Sequence, residues 1–188
     1  SALVFYMGVV ILGLFVHMGI TYMTLLKIFT TMDIKHFLKS MAPVQLLGFS
    51  TSSSGATLPV TMKRCEKDLG ISEEISSFVV PVGATINMDG TALYQGVAAV
   101  FIAQAVGMDL TLANQFTIVA TAVLASIGTA AVPGAGIIML IIILEAINVP
   151  SEGIALILGV DRILDMIRTA TNVTGDATVA SVMDSLER

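Results

Sequence analysis

Long uncharged runs alternate with short charged stretches along the chain, and this pattern predicts membrane-spanning helices. Residues 2–26 carry no charge, and about 20 apolar residues suffice for one helix to cross a bilayer. Residues 75–108 contain a single charge, Asp89, and residues 110–151 a single charge, Glu145. These long uncharged runs predict an all-α membrane protein.

Two uncharged segments are interrupted near their middle by small residues and proline. Segment 40–62 contains TSSSGATLP at 51–59, and segment 110–151 contains GTAAVPGAG at 128–136. Neither half reaches the roughly 20 residues that a straight span needs, so each segment predicts a helical hairpin that enters the membrane and returns. Close packing of ordinary helices against small residues is the alternative. A polar helix follows each hairpin, and this order predicts an inverted repeat.

Basic residues predict the orientation of these segments. They cluster at 27–39 and 63–67 and are absent from the turns at 107–114 and 145–153. By the positive-inside rule, the first hairpin opens to the cytoplasm and the second to the outside, so that the two tips could meet. The predicted segments are a transmembrane helix at 1–30, re-entrant hairpin one at 33–68, a broken transmembrane helix at 73–107, re-entrant hairpin two at 111–149 and an amphipathic transmembrane helix at 152–186.

Composition supports a membrane protein and excludes several other classes. The 188 residues are 55% hydrophobic and 12% charged, with a mean hydropathy of +0.92, whereas soluble domains carry about 25% charged residues. The net charge of −5 argues against a nucleic-acid partner. Because apolar sequence follows Ser1 almost at once, we expect the chain to be a fragment or processed piece of a larger membrane protein.

The last segment carries its polar residues on one helix face. At about 100° per residue, six of them fall within an arc of about 100°: Asp161, Asp165, Arg168, Thr169, Asn172 and Asp176. A charge at the bilayer centre costs at least about 2.5–3.5 kcal/mol, so this face predicts a shared polar cavity. An ion-pair network that only holds helices together is the alternative. The carboxylates outnumber the arginines, and hard oxygen donors favour ions such as Na⁺.

A second polar break lies at 87–91 inside an otherwise apolar run. Asp89-Gly90 is a turn signal, and it predicts an unwound helix whose free carbonyls and helix ends attract ions. A loop between two helices, with Asp89 as an N-cap, is the alternative. Both histidines lie outside these polar segments. We expect His17 to be a buried packing residue and His36 to lie on the surface.

Four motifs together resemble the dicarboxylate/amino acid:cation symporters, which include the sodium-coupled glutamate and aspartate transporters. They are TSSSGATLP (51–59), GATINMDGTALYQG (83–96), ASIGTAAVPGAG (125–136) and DRILDMIRTATNVTGD (161–176). The resemblance covers essentially the whole chain and identifies it with the C-terminal part of the family's transport domain. It implies that the first five helices, including the scaffold that anchors a homotrimer, are absent from this sequence.

The resemblance also implies the residues of the binding site. The substrate-binding positions are Ser52, Ser53, Ser54, Thr91, Val132, Gly136, Asp165, Arg168, Thr169 and Asn172. Among them, Arg168 would bind a side-chain carboxylate and Asp165 an α-ammonium group. The sodium positions are Gly83, Thr85, Asn87, Asp89, Ser126, Ile127, Thr129, Asn172 and Asp176. No organic cofactor is implied.

The function that the resemblance implies is sodium-coupled symport of L-aspartate or L-glutamate across the plasma membrane by an elevator-type movement. Arg168 implies an acidic substrate, and Asp165 implies an amino acid rather than a plain dicarboxylate. Arg162 stands near Asp165, and we expect it to replace an arginine that relatives carry at other positions. The alternatives are a dicarboxylate symporter of the same family, an ion channel with two re-entrant pore loops, and an intramembrane hydrolase that uses a serine of the first tip.

Overall fold

Every regular element of the described chain is a helix. The computed structural model describes residues 2–188, and within this range the all-α prediction is confirmed. The elements in chain order are α1 (Ala2–His17), a π-helical turn (Met18–Tyr22), α2 (Met23–Phe29), α3 (Ile34–Thr51), α4 (Ser54–Lys67), α5 (Glu73–Ile86), α6 (Asp89–Ala105), α7 (Leu112–Ile127), α8 (Ala135–Ala146), a 3₁₀ helix (Ser151–Leu156) and α9 (Leu158–Glu187).

The first three elements form one continuous helix. Ala2–Phe29 spans 28 residues and contains an 18-residue window with a mean hydropathy of 2.3, so it is long and apolar enough to cross a membrane. Tyr6, Val10 and Leu14, spaced by four, are its buried residues in α1. This spacing places them on one face, which packs into the protein. The opposite face leaves large apolar side chains such as Phe5 exposed, as a surface against lipid requires.

The two interrupted segments each form a pair of packed helices. In the first pair, Ser52 ends α3 in the left-handed conformation, with a φ of 52°. The next residue, Ser53, caps α4 by accepting a hydrogen bond from the backbone N–H of Ala56 at 3.1 Å. In the second pair, α7 ends at Ile127 and α8 begins after Gly134, which has a φ of 77°. Glycine adopts this left-handed conformation without steric cost.

The tips of the two helix pairs touch each other, as the sequence predicts. The Ser53 hydroxyl donates to the backbone oxygen of Ala131 at 2.7 Å, and the Gly55 N–H donates to the same oxygen at 3.2 Å. Backbone groups freed at the tips thereby find partners in each other.

The polar break between α5 and α6 is shorter than expected. The sequence predicts unwinding at 87–91, but only Asn87 and Met88 leave the helical conformation, and α6 begins at Asp89. The Asp89 carboxylate and the Asn172 side-chain oxygen both accept from the N–H of Gly90 at 2.9 Å. Side-chain acceptors satisfy the free N–H groups of a first helical turn, which is why the helix resumes so early.

Helix α9 is the central element of the fold. It is 30 residues long and contacts each of α1 to α6. All six residues of its predicted polar face are buried. Two apolar clusters flank it, one containing Tyr94 and Leu140 and the other containing Phe37 and Val80. The polar face is therefore enclosed by protein on every side, as its charges require.

The close approach of α6 to α9 at Gly90 gives a test of this packing. A Cβ atom at Gly90 would lie 2.7 Å from Asn172 Oδ1 and 3.2 Å from the backbone oxygen of Arg168, whereas at Gly96 no other atom of the described residues lies within 4 Å. We expect Gly90→Ala to destabilise the purified protein by about 1–3 kcal/mol and to lower its thermal unfolding temperature. Gly96→Ala, on the same helix, is the control and should be neutral or stabilising. Equal unfolding temperatures for the two variants would contradict this packing.

Candidate functional site

A small polar cavity lies where the two tips, the α5–α6 break and α9 converge. Its lining comprises Ser52, Ser54, Met88, Thr91, Thr129, Ala130, Ala131, Val132, Gly136, Asp165, Arg168, Thr169 and Asn172. Of the ten positions that the resemblance assigns to substrate, nine line this cavity, and the exception is Ser53. The cavity measures about 20 Å³, which is enough for about one water molecule.

Arg168 and Asp165 form a buried ion pair beside the cavity. Arg168 Nη2 lies 2.7 Å from Asp165 Oδ1, and their side chains are 3% and 6% exposed. The second carboxylate oxygen of Asp165 accepts from the N–H of Gly134 at 2.9 Å. The other terminal nitrogen of Arg168, Nη1, is buried and has no hydrogen-bond partner within residues 2–188. The guanidinium thus keeps one donor group free for a further acceptor.

The Tyr94 ring packs against the Arg168 guanidinium, a role that the sequence analysis did not predict. The central carbon of the Arg168 guanidinium lies 4.2 Å from the centroid of the Tyr94 ring, which is a cation–π contact. The Tyr94 hydroxyl donates to Asp161 Oδ1 at 2.5 Å. Asp161 therefore belongs to the support of Arg168 rather than to the cavity wall. An aromatic residue within an apolar run gives no sequence signal that separates this role from ordinary core packing.

The three serines of the first tip have different roles. Ser52 and Ser54 line the cavity, and the buried Ser52 hydroxyl has no partner among the described residues. Ser53 instead joins the two tips, because its hydroxyl donates to Ala131.

Asn172 connects the cavity to the α5–α6 break. Its Nδ2 donates to the Thr91 hydroxyl at 2.9 Å, and its Oδ1 accepts from the N–H of Gly90. The same side chain therefore touches a residue assigned to substrate and the first turn of α6.

Asp176 is the most deeply placed carboxylate of the sodium positions. It is buried and accepts from Asn87 Nδ2 at 3.1 Å. A Cβ atom at Gly83 would lie 2.6 Å from Asp176 Oδ1, so glycine is needed there for the carboxylate to fit. None of the ion pairs within residues 2–188 includes Asp176. A buried carboxylate without a basic partner is costly unless it binds a proton or a cation.

The second set of sodium positions lies at two helix ends. Thr85 is near the end of α5, and Ser126, Ile127 and Thr129 lie at the end of α7, which contacts α5. Each hydroxyl of this set donates to a carbonyl of its own helix: Thr85 to Val82, Ser126 to Val123 and Thr129 to Ala125. The groups that remain for a cation at such helix ends are backbone carbonyls.

The prediction for His17 is wrong. Instead of packing among apolar residues, its Nε2 lies 2.7 Å from Asp89 Oδ2. The Tyr22 hydroxyl also donates to Asp89, at 2.7 Å from each carboxylate oxygen. Sequence reasoning missed both residues because they lie on a separate helix, 72 and 67 positions away from Asp89.

The prediction for Arg162 is also wrong. Arg162 is exposed, and it takes part in no ion pair within residues 2–188. On the helix it lies at the edge of the polar face, and the long side chain extends outward from there. The positive charge beside Asp165 comes from Arg168 instead.

Comparison with known proteins identifies the family of the chain. The model of the sodium:dicarboxylate symporter family matches residues 1–186. The chain is 43% identical to excitatory amino acid transporter 1 of Rattus norvegicus over 99% of its length, 45% to excitatory amino acid transporter 3 of Mus musculus over 97%, and 43% to excitatory amino acid transporter 2 of Homo sapiens over 97%. These matches cover 34%, 35% and 32% of the three relatives, so the chain spans about a third of their length. The chain belongs to the sodium:dicarboxylate symporter family.

Proposed function

We propose that this chain forms the C-terminal part of the transport domain of a sodium-coupled symporter for acidic amino acids, L-aspartate or L-glutamate. The relatives' names refer to excitatory amino acid transport, and the family is named for sodium:dicarboxylate symport. The free donor of the buried Arg168 guanidinium is the observation that carries the proposal. An unsatisfied buried donor costs about 1–3 kcal/mol, and a carboxylate ligand removes that cost through a charge-assisted hydrogen bond.

The proposed substrate pose is the one that the family resemblance implies. The side-chain carboxylate binds Arg168, with the Thr91 hydroxyl and the Gly136 amide beside it. The α-ammonium binds Asp165 and the carbonyls of Ser52 and Val132.

The α-carboxylate is held by Ser54 and Asn172, with Thr169 in the wall. Because Arg168 and Asp165 bond to each other beside a cavity of about 20 Å³, the substrate enters by separating them. Arg168 then binds the side-chain carboxylate of the substrate in place of Asp165, and Asp165 binds the α-ammonium in place of Arg168.

Sodium coupling follows from residues that the two sets share. Asn172 touches Thr91 in the cavity and the first turn of α6 at Gly90. One sodium ion is held by Gly83, Asn87, Asn172 and Asp176, a second by the carbonyls of Thr85, Ser126, Ile127 and Thr129, and a third by Asn87 and Asp89. An ion that orders Asn172 reduces the cost of ordering it for the substrate, so the two ligands bind cooperatively.

The membrane arrangement is part of the same proposal. The α3–α4 and α7–α8 pairs are re-entrant hairpins that enter from opposite sides, with the first open to the cytoplasm of a plasma-membrane protein. Their helices have 18, 14, 16 and 12 residues, and each is shorter than a straight span of about 20. The transport domain moves as an elevator against a trimeric scaffold formed by helices outside this sequence.

The site chemistry favours this function over the alternatives. A hydrolase would need a base beside a serine of the first tip, but the hydrogen-bond partners of the His17 ring within residues 2–188 are Asp89 and Thr21. A channel would not need a buried guanidinium in the wall of a cavity of about 20 Å³. A dicarboxylate symporter would need no partner for an α-ammonium group, and uptake of succinate distinguishes this case.

Arg168 gives the principal test, with Arg162 on the same helix as the matched control. In proteoliposomes that contain the full-length protein, we expect Na⁺-dependent counterflow of L-aspartate or L-glutamate. Arg168→Ala should reduce it at least about 30-fold, because loss of a buried charge pair costs about 2–5 kcal/mol. Arg162→Ala should leave it unchanged, since its side chain is exposed. Full uptake by Arg168→Ala, or succinate as the preferred substrate, would refute the proposal.

Gly136 provides a second test of the role of Arg168. A Cβ atom at Gly136 would lie 2.7 Å from Arg168 Nη1, whereas at Gly128 the nearest atom is 3.5 Å away. Gly136→Ala should therefore displace the guanidinium and raise the KM for the acidic amino acid roughly tenfold or more. Gly128→Ala, in the same helix pair, should keep the original KM. Identical KM values for both variants would disprove the contact's importance.

Asp176 tests the cation site. Asp176→Asn removes the charge of a buried carboxylate that pairs with no basic side chain among residues 2–188, so the half-saturating Na⁺ concentration should rise at least about tenfold. Glu187→Gln removes an exposed carboxylate from the same helix and should leave that concentration unchanged. The measurement is uptake as a function of Na⁺ concentration at saturating substrate. An unaltered Na⁺ dependence in Asp176→Asn would argue against this site.

A further inference from the structure

The Asp89 carboxylate is held by two side chains from another helix. Tyr22 donates to both carboxylate oxygens at 2.7 Å, and His17 Nε2 lies 2.7 Å from Oδ2. An ionised carboxylate only accepts hydrogen bonds, so Nε2 of His17 carries the hydrogen. Its other ring nitrogen, Nδ1, lies 3.2 Å from the Thr21 hydroxyl, which can donate to it. Donors therefore fix the carboxylate from one side of the fold.

The backbone between these two residues has an unusual conformation that explains their alignment. Met18–Tyr22 is a π-helical turn within an otherwise α-helical span. In an α-helix, residues five apart point about 140° away from each other. In a π-helix, the i→i+5 bonding places them one turn apart on the same side. His17 and Tyr22 are five apart, and their ring centroids lie 4.9 Å from each other in an edge-to-face arrangement.

Helix α9 has a glycine, Gly175, at the point where the Tyr22 hydroxyl packs against it. A Cβ atom at Gly175 would lie 2.6 Å from this hydroxyl oxygen, so Tyr22 passes α9 where no side chain blocks it. Tyr22 is only 3% exposed. The π-helical turn and Gly175 together allow the Tyr22 hydroxyl to reach Asp89.

We propose that His17 and Tyr22 are positioning residues that orient the Asp89 carboxylate for Na⁺. The inference rests on the proposed sodium-coupled function. A carboxylate offers about four acceptor positions, and the donors from Tyr22, His17 and the Gly90 N–H leave capacity for a cation. Fixing the carboxylate in one rotamer lowers the entropy that is lost when the ion binds.

The test compares two tyrosine variants of the full-length protein in proteoliposomes. Tyr22→Phe removes the hydroxyl that holds Asp89, and we expect it to raise the half-saturating Na⁺ concentration roughly tenfold. The KM for the amino acid at saturating Na⁺ should stay constant. Tyr6→Phe is the matched control, because Tyr6 is a buried tyrosine of the same continuous helix and, among the described residues, Asp89 bonds with His17, Tyr22 and Gly90 instead. Its Na⁺ dependence should equal that of the original protein.

Variants of His17 keep the inference testable if Tyr22→Phe does not fold. His17→Ala should raise the half-saturating Na⁺ concentration, and His17→Gln, which keeps an N–H donor, should restore it. An unchanged or lower concentration in Tyr22→Phe or His17→Ala, or equal values for His17→Ala and His17→Gln, would overturn the inference. Absence of Na⁺-dependent uptake in the original protein would instead refute the proposed function.

Discussion

The Arg168 guanidinium and the Asp165 carboxylate are buried side by side in this fold. The free-energy cost of that burial constrains the helices and the tip that contact them. Removing a charged group from water costs several kcal/mol of free energy unless protein partners replace the water. Arg168 has Asp165 and the face of the Tyr94 ring as partners, and Asp165 has the Gly134 N–H. The second tip, α6 and α9 must therefore keep their relative positions, because together they supply the contacts that replace water around the pair. One donor of Arg168 has no partner within residues 2–188, and this imbalance makes the site suitable for an anion.

Helix α9 relates the anion site to the proposed cation sites. Arg168 and Asp176 lie two turns apart on one buried face, and Asn172 lies between them. The Asn172 side chain contacts α6 through both of its polar atoms. Under the proposed function, substrate and sodium order the same short stretch of α6, where the helix resumes after the break at Asn87 and Met88. This arrangement gives coupling a physical basis without requiring the ligands to touch.

Features that depend on local pattern were predictable from the sequence, and contacts between distant helices were not. The broken segments around 51–59 and 128–136 predicted two helix pairs, and helical periodicity placed the polar face of α9 correctly. The roles of His17, Tyr22 and Tyr94 depend on which helices become neighbours. For His17 and Tyr22 they also depend on a π-helical turn at Met18–Tyr22, which has no recognisable sequence signal. Arg162 shows the converse error, since nearness to Asp165 in sequence did not produce a contact.

Calorimetric titration of L-aspartate and L-glutamate into the purified full-length protein tests the central claim most directly. If Na⁺ orders the groups that the substrate uses, at least one of the two amino acids should bind in Na⁺ and lose most of its affinity when choline replaces Na⁺. By reciprocity, the same factor should appear when Na⁺ binding is measured with and without that amino acid. Binding that is equally tight in Na⁺ and choline, or no binding of either amino acid in Na⁺, would contradict the account.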